Sequence, residues 1–339
     1  MSTLAFIGRR LLLLIPVLFG LSLLTFTISR IVPGDPVMLA AGPQASREEI
    51  RMIAEEFGLD RPLPVQYVTY IRGLFRGNWG RSLLSRRPVA EDLAIYFPAT
   101  LELVIVALGL AIGLGIPLGV ASAVSQGRWP DTLSRLFALT GVSLPRFFLA
   151  LLLQLALAMQ IGLLPIGGRF PTILAPPARI TGMLILDSLL QGEWTALAVA
   201  FRHLLLPAFA LSLSPLATLT RMMRAGMLDA LGQDYVRTAR AFGVPERVIF
   251  FKYVLKNAVL STVTLIGLYF GFLLSGSVLV EAVFDWPGIG LYAVNSVVTL
   301  DFMPIMGVTL VIGLVFVISN LVTDLLYGVV DPRIRLAEG

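Results

Sequence analysis

The chain has 339 residues, 57% of them hydrophobic and 14% charged, with a mean hydropathy of +0.86 and a formal net charge of +5. Soluble domains carry roughly 25% charged residues, so this composition describes an integral membrane protein, with no polar stretch long enough for an ordinary soluble domain. Cysteine is absent, which excludes disulfides, thiolate metal sites and cysteine nucleophiles. The positive charge points to membrane lipid as a partner and to no nucleic acid, because arginines beside spans meet anionic headgroups and orient the spans.

Arg9 and Arg10 precede an apolar run from Leu11 to Ile28, long enough to cross a bilayer. A signal peptide has a shorter apolar core with a small-residue cleavage site behind it. Here Arg30 and Pro33-Gly34-Asp35-Pro36 follow, so an uncleaved anchor with its N-terminus inside is expected. From Ile31 to Phe97 the chain is polar enough for water. Ser46-Arg47-Glu48-Glu49 forms a capping box, opening a helix expected to carry Ile50, Ile53, Ala54 and Phe57 on one side. A second amphipathic helix is expected from Val65 to Phe75, with Val68, Ile71 and Phe75 aligned, before the turn Gly77-Asn78-Trp79-Gly80. Residues 31–97 thus read as a helical insertion on the outer membrane surface, with a loosely packed loop as the alternative.

The second span is expected over Ala99 to Val124, where Gly109/Gly113 and Gly115/Gly119 admit close helix approach and Pro117 introduces a bend. The third lies between Leu133 and Leu164 with Pro145 inside it; Arg146 either snorkels to the interface or lines a watery cavity. Gly167 to Arg202 forms a second outer segment. His203, the sole histidine, opens the fourth span and is assigned no chemistry. That span, Leu204 to Thr220, is kinked by Pro207 and Pro215. The fifth runs from Val259 to Val283, and the sixth from Met303 to Val330, where Asn320 and Asp324 suit an interhelical hydrogen bond. Six spans place both termini on one side, and the arginines of the short loops place that side inside.

Between the fourth and fifth spans, Met223 to Ala258 is the one long polar run. It holds both lysines, and six basic against three acidic residues leave it at +3. Asp234 stands where an N-cap belongs, Gly243 suits a left-handed C-cap, and Pro245 blocks continuation. The spacing predicts one short helix, Tyr235 to Phe242, with Tyr235, Ala239 and Phe242 on one face and Arg237 and Arg240 on another. A capped helix outside the membrane with its own apolar face is shaped to dock into another protein; an ordinary basic loop is the competing reading. Beyond the fifth span, Asp285-Trp286-Pro287-Gly288 makes a rigid, aromatic-tipped outer turn, expected as an external gate, a protein contact or simple packing.

Much chemistry is missing. Neither Lys252 nor Lys256 follows a glycine, so no loop here can cradle nucleotide phosphates. There is no HExxH helix, and one histidine supplies neither a metal cluster nor an obvious base for a serine nucleophile. No catalytic residue and no metal ligand is assigned, and the chain is not expected to be an enzyme. An ion-coupled carrier needs ionisable groups deep in its spans, and apart from Asp324 and Arg146 the span centres hold none. A helical pathway that draws its energy from another protein, through residues 223–258, remains.

The run Arg237-Thr238-Ala239-Arg240-Ala241-Phe242-Gly243 resembles the EAA loop of permease subunits in bacterial ABC importers. Arg-Thr-Ala replaces Glu-Ala-Ala, the glycine spacing is kept, Tyr253 stands for an isoleucine, Leu255 matches and Lys256 replaces a proline. The variant is similar to the dipeptide/oligopeptide/nickel branch. So are Val32 to Pro36, Phe284 to Gly290 and Asp331-Pro332-Arg333-Ile334-Arg335. The resemblance covers nearly the whole chain and implies an all-α, six-span type I importer domain over residues 1–339, with an extracytoplasmic insertion at 31–97 and a cytoplasmic coupling loop at 223–258. It implies a place in the bacterial inner membrane beside a paralogous permease. Two cytoplasmic ATPases would hold ATP and magnesium, which this chain would not, and an extracytoplasmic binding protein would deliver substrate. Tyr235, Arg237, Thr238, Ala239, Arg240, Ala241, Phe242 and Gly243 would form the coupling helix. Asp285, Trp286, Pro287 and Gly288 would serve an outer gate or meet the binding protein. Di- and oligopeptides are the expected substrates, with nickel chelates, glutathione or opines as alternatives. An ion-coupled secondary transporter or a membrane scaffold is the reading from another class.

Overall fold

The computed structural model describes residues 3–31, 46–48, 51–52 and 61–330. The motifs at 32–36 and 331–335 and most of the helix expected over 46–57 lie outside them. Described residues form α1 (Thr3–Ile31), α2 (Leu63–Phe75), α3 (Val89–Val124), α4 (Trp129–Ser143), α5 (Arg146–Leu153), α6 (Leu184–Gln191) and α7 (Trp194–Leu231). Then come α8 (Asp234–Ala241), α9 (Leu255–Gly276), α10 (Val278–Val283), α11 (Ile289–Val298) and α12 (Phe302–Val330). Two π-helical stretches, Gln154–Gln160 and Ile249–Val254, extend α5 and lead into α9.

Helices α1, α3, α7 and α12 are long and apolar enough to cross a membrane. Helix α9 has 22 residues, and α4 with α5 would complete the six passages, but that pair bends by 110° at its junction. The third passage is therefore no straight span. Leu144 is extended (φ −91, ψ 139) because the ring of Pro145 disfavours helical geometry in the residue before it.

The bundle is built around α3 and α7, which have 36 and 38 residues. At 1.5 Å per residue each exceeds roughly 50 Å, more than the apolar thickness of a bilayer. Helix α3 thus begins at Val89, within residues expected in the insertion, and α7 runs on to Leu231, within the expected loop. Ala107, Ala111, Gly115 and Gly119, four residues apart, form a row of buried small residues along α3. A Cβ on Gly119 would stand 2.6 Å from both Met223 Cβ and the Thr220 carbonyl oxygen, so α7 approaches backbone to backbone. Thr220 Oγ1 donates to the Gly115 carbonyl at 3.2 Å. Of the two expected glycine pairs only this one is used, since Gly109 and Gly113 have nothing within 4 Å.

Helix α2 packs on α1 through Tyr67, whose ring meets Phe26 edge-on at 5.2 Å and whose hydroxyl lies 2.9 Å from Ser22 Oγ. Of the three aligned apolar residues, Val68 is exposed and Phe75 is 90% exposed, while Ile71 is half-buried. The tyrosines win the inner side because they offer both ring area and a hydroxyl partner.

Candidate coupling site and outer turn

Only Gly232-Gln233 separates α7 from α8. Gln233 is the extended residue before the helix, and no side chain caps it. The expected N-cap is corrected: Asp234 is the first helical residue and lies 3.4 Å from Arg237 Nη1 in solvent. The other end matches the expected cap. Gly243 has φ +71, the Gly243 amide donates to the Arg240 carbonyl at 3.0 Å, and Val244 donates to Ala239 at 3.1 Å. That paired 5→2 and 6→1 arrangement is a Schellman motif, which needs a left-handed residue at its corner.

Val236 is fully buried under α8, with Ala239 and Val244 packed beside it. Beneath them lie Ala123 of α3, Met223, Met227 and Ala230 of α7, and Ile249 from the lead-in to α9. Phe242 points the other way, 83% exposed, while Tyr235 is 39% exposed and its hydroxyl accepts from Asn257 Nδ2 of α9 at 3.2 Å. Ala239 therefore does not share their face. At 3.6 residues per turn it sits about 40° round from Tyr235, enough to join the inner side. Arg237, Thr238 and Ala241 are exposed with Tyr235 and Phe242. Arg240 folds over the Schellman turn to Glu246, Nε to Oε1 at 2.7 Å, and its guanidinium holds the Glu246 carboxyl below the usual range. The expected polar loop is thus almost wholly helical, seated on a core of its own.

Sequence reasoning missed the anchor beside that core. Asp131, at the start of α4, is 1% exposed. It accepts from Arg224 Nε at 2.7 Å and Nη2 at 3.0 Å, from Ser122 Oγ at 2.7 Å and from the Gly127 amide at 3.0 Å. One carboxylate so joins the end of α3, the connector, α4 and α7. The available signal was an aspartate beside an apolar helix, a costly place for an unpaired charge.

The turn at 285–288 lies across the length of α9 from α8. Trp286 is no exposed tip, which corrects the expectation: it is 1% exposed, and its Nε1 donates to the Ala99 carbonyl at 3.0 Å. The Arg169 guanidinium stands 5.8 Å from its ring centre. Asp285, at φ +48, and Pro287 are the residues left outward. Beneath them Glu281 Oε1 accepts from Thr100 Oγ1 at 2.7 Å and Ser277 Oγ at 2.9 Å, while Oε2 accepts from the Leu291 amide at 3.0 Å. A Cβ on Gly288 would stand 2.5 Å from Glu281 Oε2, and one on Gly290 would stand 2.7 Å from Val278 Cα. The spacing Gly288-Ile289-Gly290 is what lets this turn close.

The segment at 167–202 is equally built. Arg169 Nη2 pairs with Glu102 at 2.6 Å. Burial opposes the Asp187 charge, but Thr181 Oγ1 and the amides of Thr181, Gly182 and Ile180 outweigh it and hold the carboxyl below its usual range. His203 Nδ1 lies 3.2 Å from the Gly167 and Gly168 carbonyls, a structural contact. Arg146 sits half-buried at the α4–α5 elbow, its guanidinium against Gly276. The Asp324 side chain lies outside what is described.

An all-helical bundle with six apolar passages, a braced turn at one end and an exposed capped helix at the other is a polytopic membrane transport component. Residues 115–336 match the family described as the binding-protein-dependent transport system inner membrane component, and residues 3–104 match the family's N-terminal model. The chain belongs to this family, the membrane component of binding-protein-dependent ABC importers. It is 44% identical over 326 residues to the probable D,D-dipeptide transport system permease protein DdpB of Escherichia coli K12, covering 96% of each chain. It is 41% identical to the dipeptide transport system permease protein DppB of Alkalihalophilus pseudofirmus, covering 98% of this chain and 99% of that one. It is also 39% identical to the glutathione transport system permease protein GsiC of E. coli K12, covering 97% and 98%.

Proposed function

We propose that this permease carries short peptides, and that α8 transmits the work of cytoplasmic ATPases to the bundle. The carrying observation is the split of α8 into a buried side at Val236 and an outward side led by Phe242. One side moves the ends of α3 and α7, and the other is free to enter a cleft in a partner. In this reading the chain hydrolyses no ATP itself. Two ABC ATPases with bound ATP and magnesium do so, a paralogous permease completes the pathway, and a binding protein delivers substrate outside. The names of the relatives, which cover dipeptides and glutathione, support a short peptide as cargo.

In the same reading both termini and residues 223–258 are cytoplasmic and residues 31–97 are outside. The turn Asp285-Trp286-Pro287-Gly288 then closes the outer end, with Trp286 as its lock and Asp285 and Pro287 as the surface offered to the binding protein. The test is dipeptide uptake by proteoliposomes holding both permeases and the ATPases, with binding protein outside. Uptake should require ATP. Uptake driven by a proton gradient without ATP would overturn the reading. Single cysteines replacing Arg72 and Arg240 test the orientation: an impermeant thiol reagent should label the first and spare the second in spheroplasts.

A further inference from the structure

A cavity of about 300 Å³ lies between the end of α1, helix α2, the turn at 78–81 and the start of α12. Arg30, Arg61 and Arg81 line it, and among the described residues no acidic side chain does. Arg30 Nε and Tyr70 Oη are buried there without a hydrogen-bond partner, and neither Arg30 nor Arg61 makes an ion pair among the described residues. Buried polar groups are almost always satisfied, and three guanidinium groups around one space repel each other unless an anion joins them. Planar guanidinium forks fit phosphate oxygens bidentately.

The position selects the source of that phosphate. Arg30 closes the 19-residue apolar stretch Leu12–Arg30 of α1, which puts its head at the level where a bilayer's apolar core gives way to headgroups. The two helices that wall the cavity carry apolar outward residues: Leu23, Leu24 and Ile28 on α1, and Val65, Val68 and Phe75 on α2. Acyl chains can lie along those surfaces while the headgroup enters between the arginines; a soluble anion has no use for them. We propose that this cavity binds the phosphate of an anionic phospholipid headgroup, and that the lipid fastens α2 to α1 and α12.

The test uses the complete importer, delipidated in detergent, with phosphatidylglycerol, phosphatidylcholine and inorganic phosphate as probes. Retained lipid is counted by native mass spectrometry, and the melting temperature is followed in parallel. Wild type should retain phosphatidylglycerol over phosphatidylcholine and melt higher with it, while millimolar phosphate does little. Arg61 is exposed just ahead of α2, so Arg61→Gln should leave the lipid-free melting temperature unchanged. Retention should fall about fivefold per arginine removed, further in Arg30→Gln/Arg61→Gln, with partial recovery in Arg30→Lys. Equal retention in wild type and Arg61→Gln, or no preference for phosphatidylglycerol, would overturn the proposal. Stabilisation by inorganic phosphate alone would overturn the lipid and assign the cavity to a soluble anion.

Discussion

Asp131 and Arg224 meet through two parallel hydrogen bonds of 2.7 and 3.0 Å, although 93 residues separate them. Through them the short connector after α3 is tied to the last turns of α7, the helix that carries α8. A displacement of α8 therefore reaches two membrane helices and the α4 elbow together, and not α7 alone.

That pairing sets up a double-mutant cycle. Arg224→Met strands a carboxylate in a closed site, so it should lower thermal stability and uptake more than Asp131→Asn/Arg224→Met, which removes both charges. Melting temperature and uptake of the single and double variants decide it. Additive losses would show that the two groups do not act as a unit.

Helix α8 allows packing to be separated from docking. Phe242 is outward, so Phe242→Ala should leave the isolated subunit's stability unchanged while weakening ATPase co-purification. Burying a Phe is worth roughly 1.5–3 kcal/mol, about tenfold or more in affinity. Gly243 has open space around its Cβ position, so Gly243→Val acts only through the left-handed backbone, at about 1–2 kcal/mol. It should re-aim α8 and uncouple ATP hydrolysis from uptake. Normal uptake in Gly243→Val with cycling ATPase would remove α8 from the coupling path.

Trp286 is a packing residue first. Trp286→Ala should cost about 3–5 kcal/mol, whereas Trp286→Phe should cost less, since it keeps most of the ring contacts while losing the bond to Ala99, worth about 1 kcal/mol, and part of the ring volume. Binding-protein stimulation of ATPase activity, compared between Trp286→Phe and Pro287→Ala at matched assembly, shows whether the exposed surface of the turn contributes. Unchanged stimulation in Pro287→Ala would leave the turn as a brace.

Acid should loosen the segment around Asp187. The folded-state pKa of Asp187 is depressed, so its contribution is present above the ordinary aspartate pKa and is lost as pH falls through the lower folded value. Protection of the Ile180, Thr181 and Gly182 amides against hydrogen exchange, taken relative to the intrinsic rate at each pH, should be flat from neutral pH to about pH 5 and fall only in strong acid. Asp187→Asn should raise exchange at neutral pH by removing bonds worth about 1–3 kcal/mol. A midpoint near neutrality would contradict the arrangement.

The membrane class, the six apolar passages and the Gly243 corner were readable from the chain, because each depends on residues within a few turns of one another. Hydropathy over about 20 residues makes a span, and a glycine just past a short periodic run followed by proline ends a helix. Even the residues from Asp285 to Gly288 marked a rigid turn. What they admit, the Glu281 carboxylate under Thr100, did not show. Tertiary structure alone decided that Val236 and not Tyr235 faces inward, that Trp286 turns into the core, that α2 presents its tyrosines to α1, and that Asp131 finds Arg224. The physical reason is common to all four. A side chain's free energy depends on the surface it meets, and those surfaces come from segments far away in sequence, whose approach is set by the whole bundle.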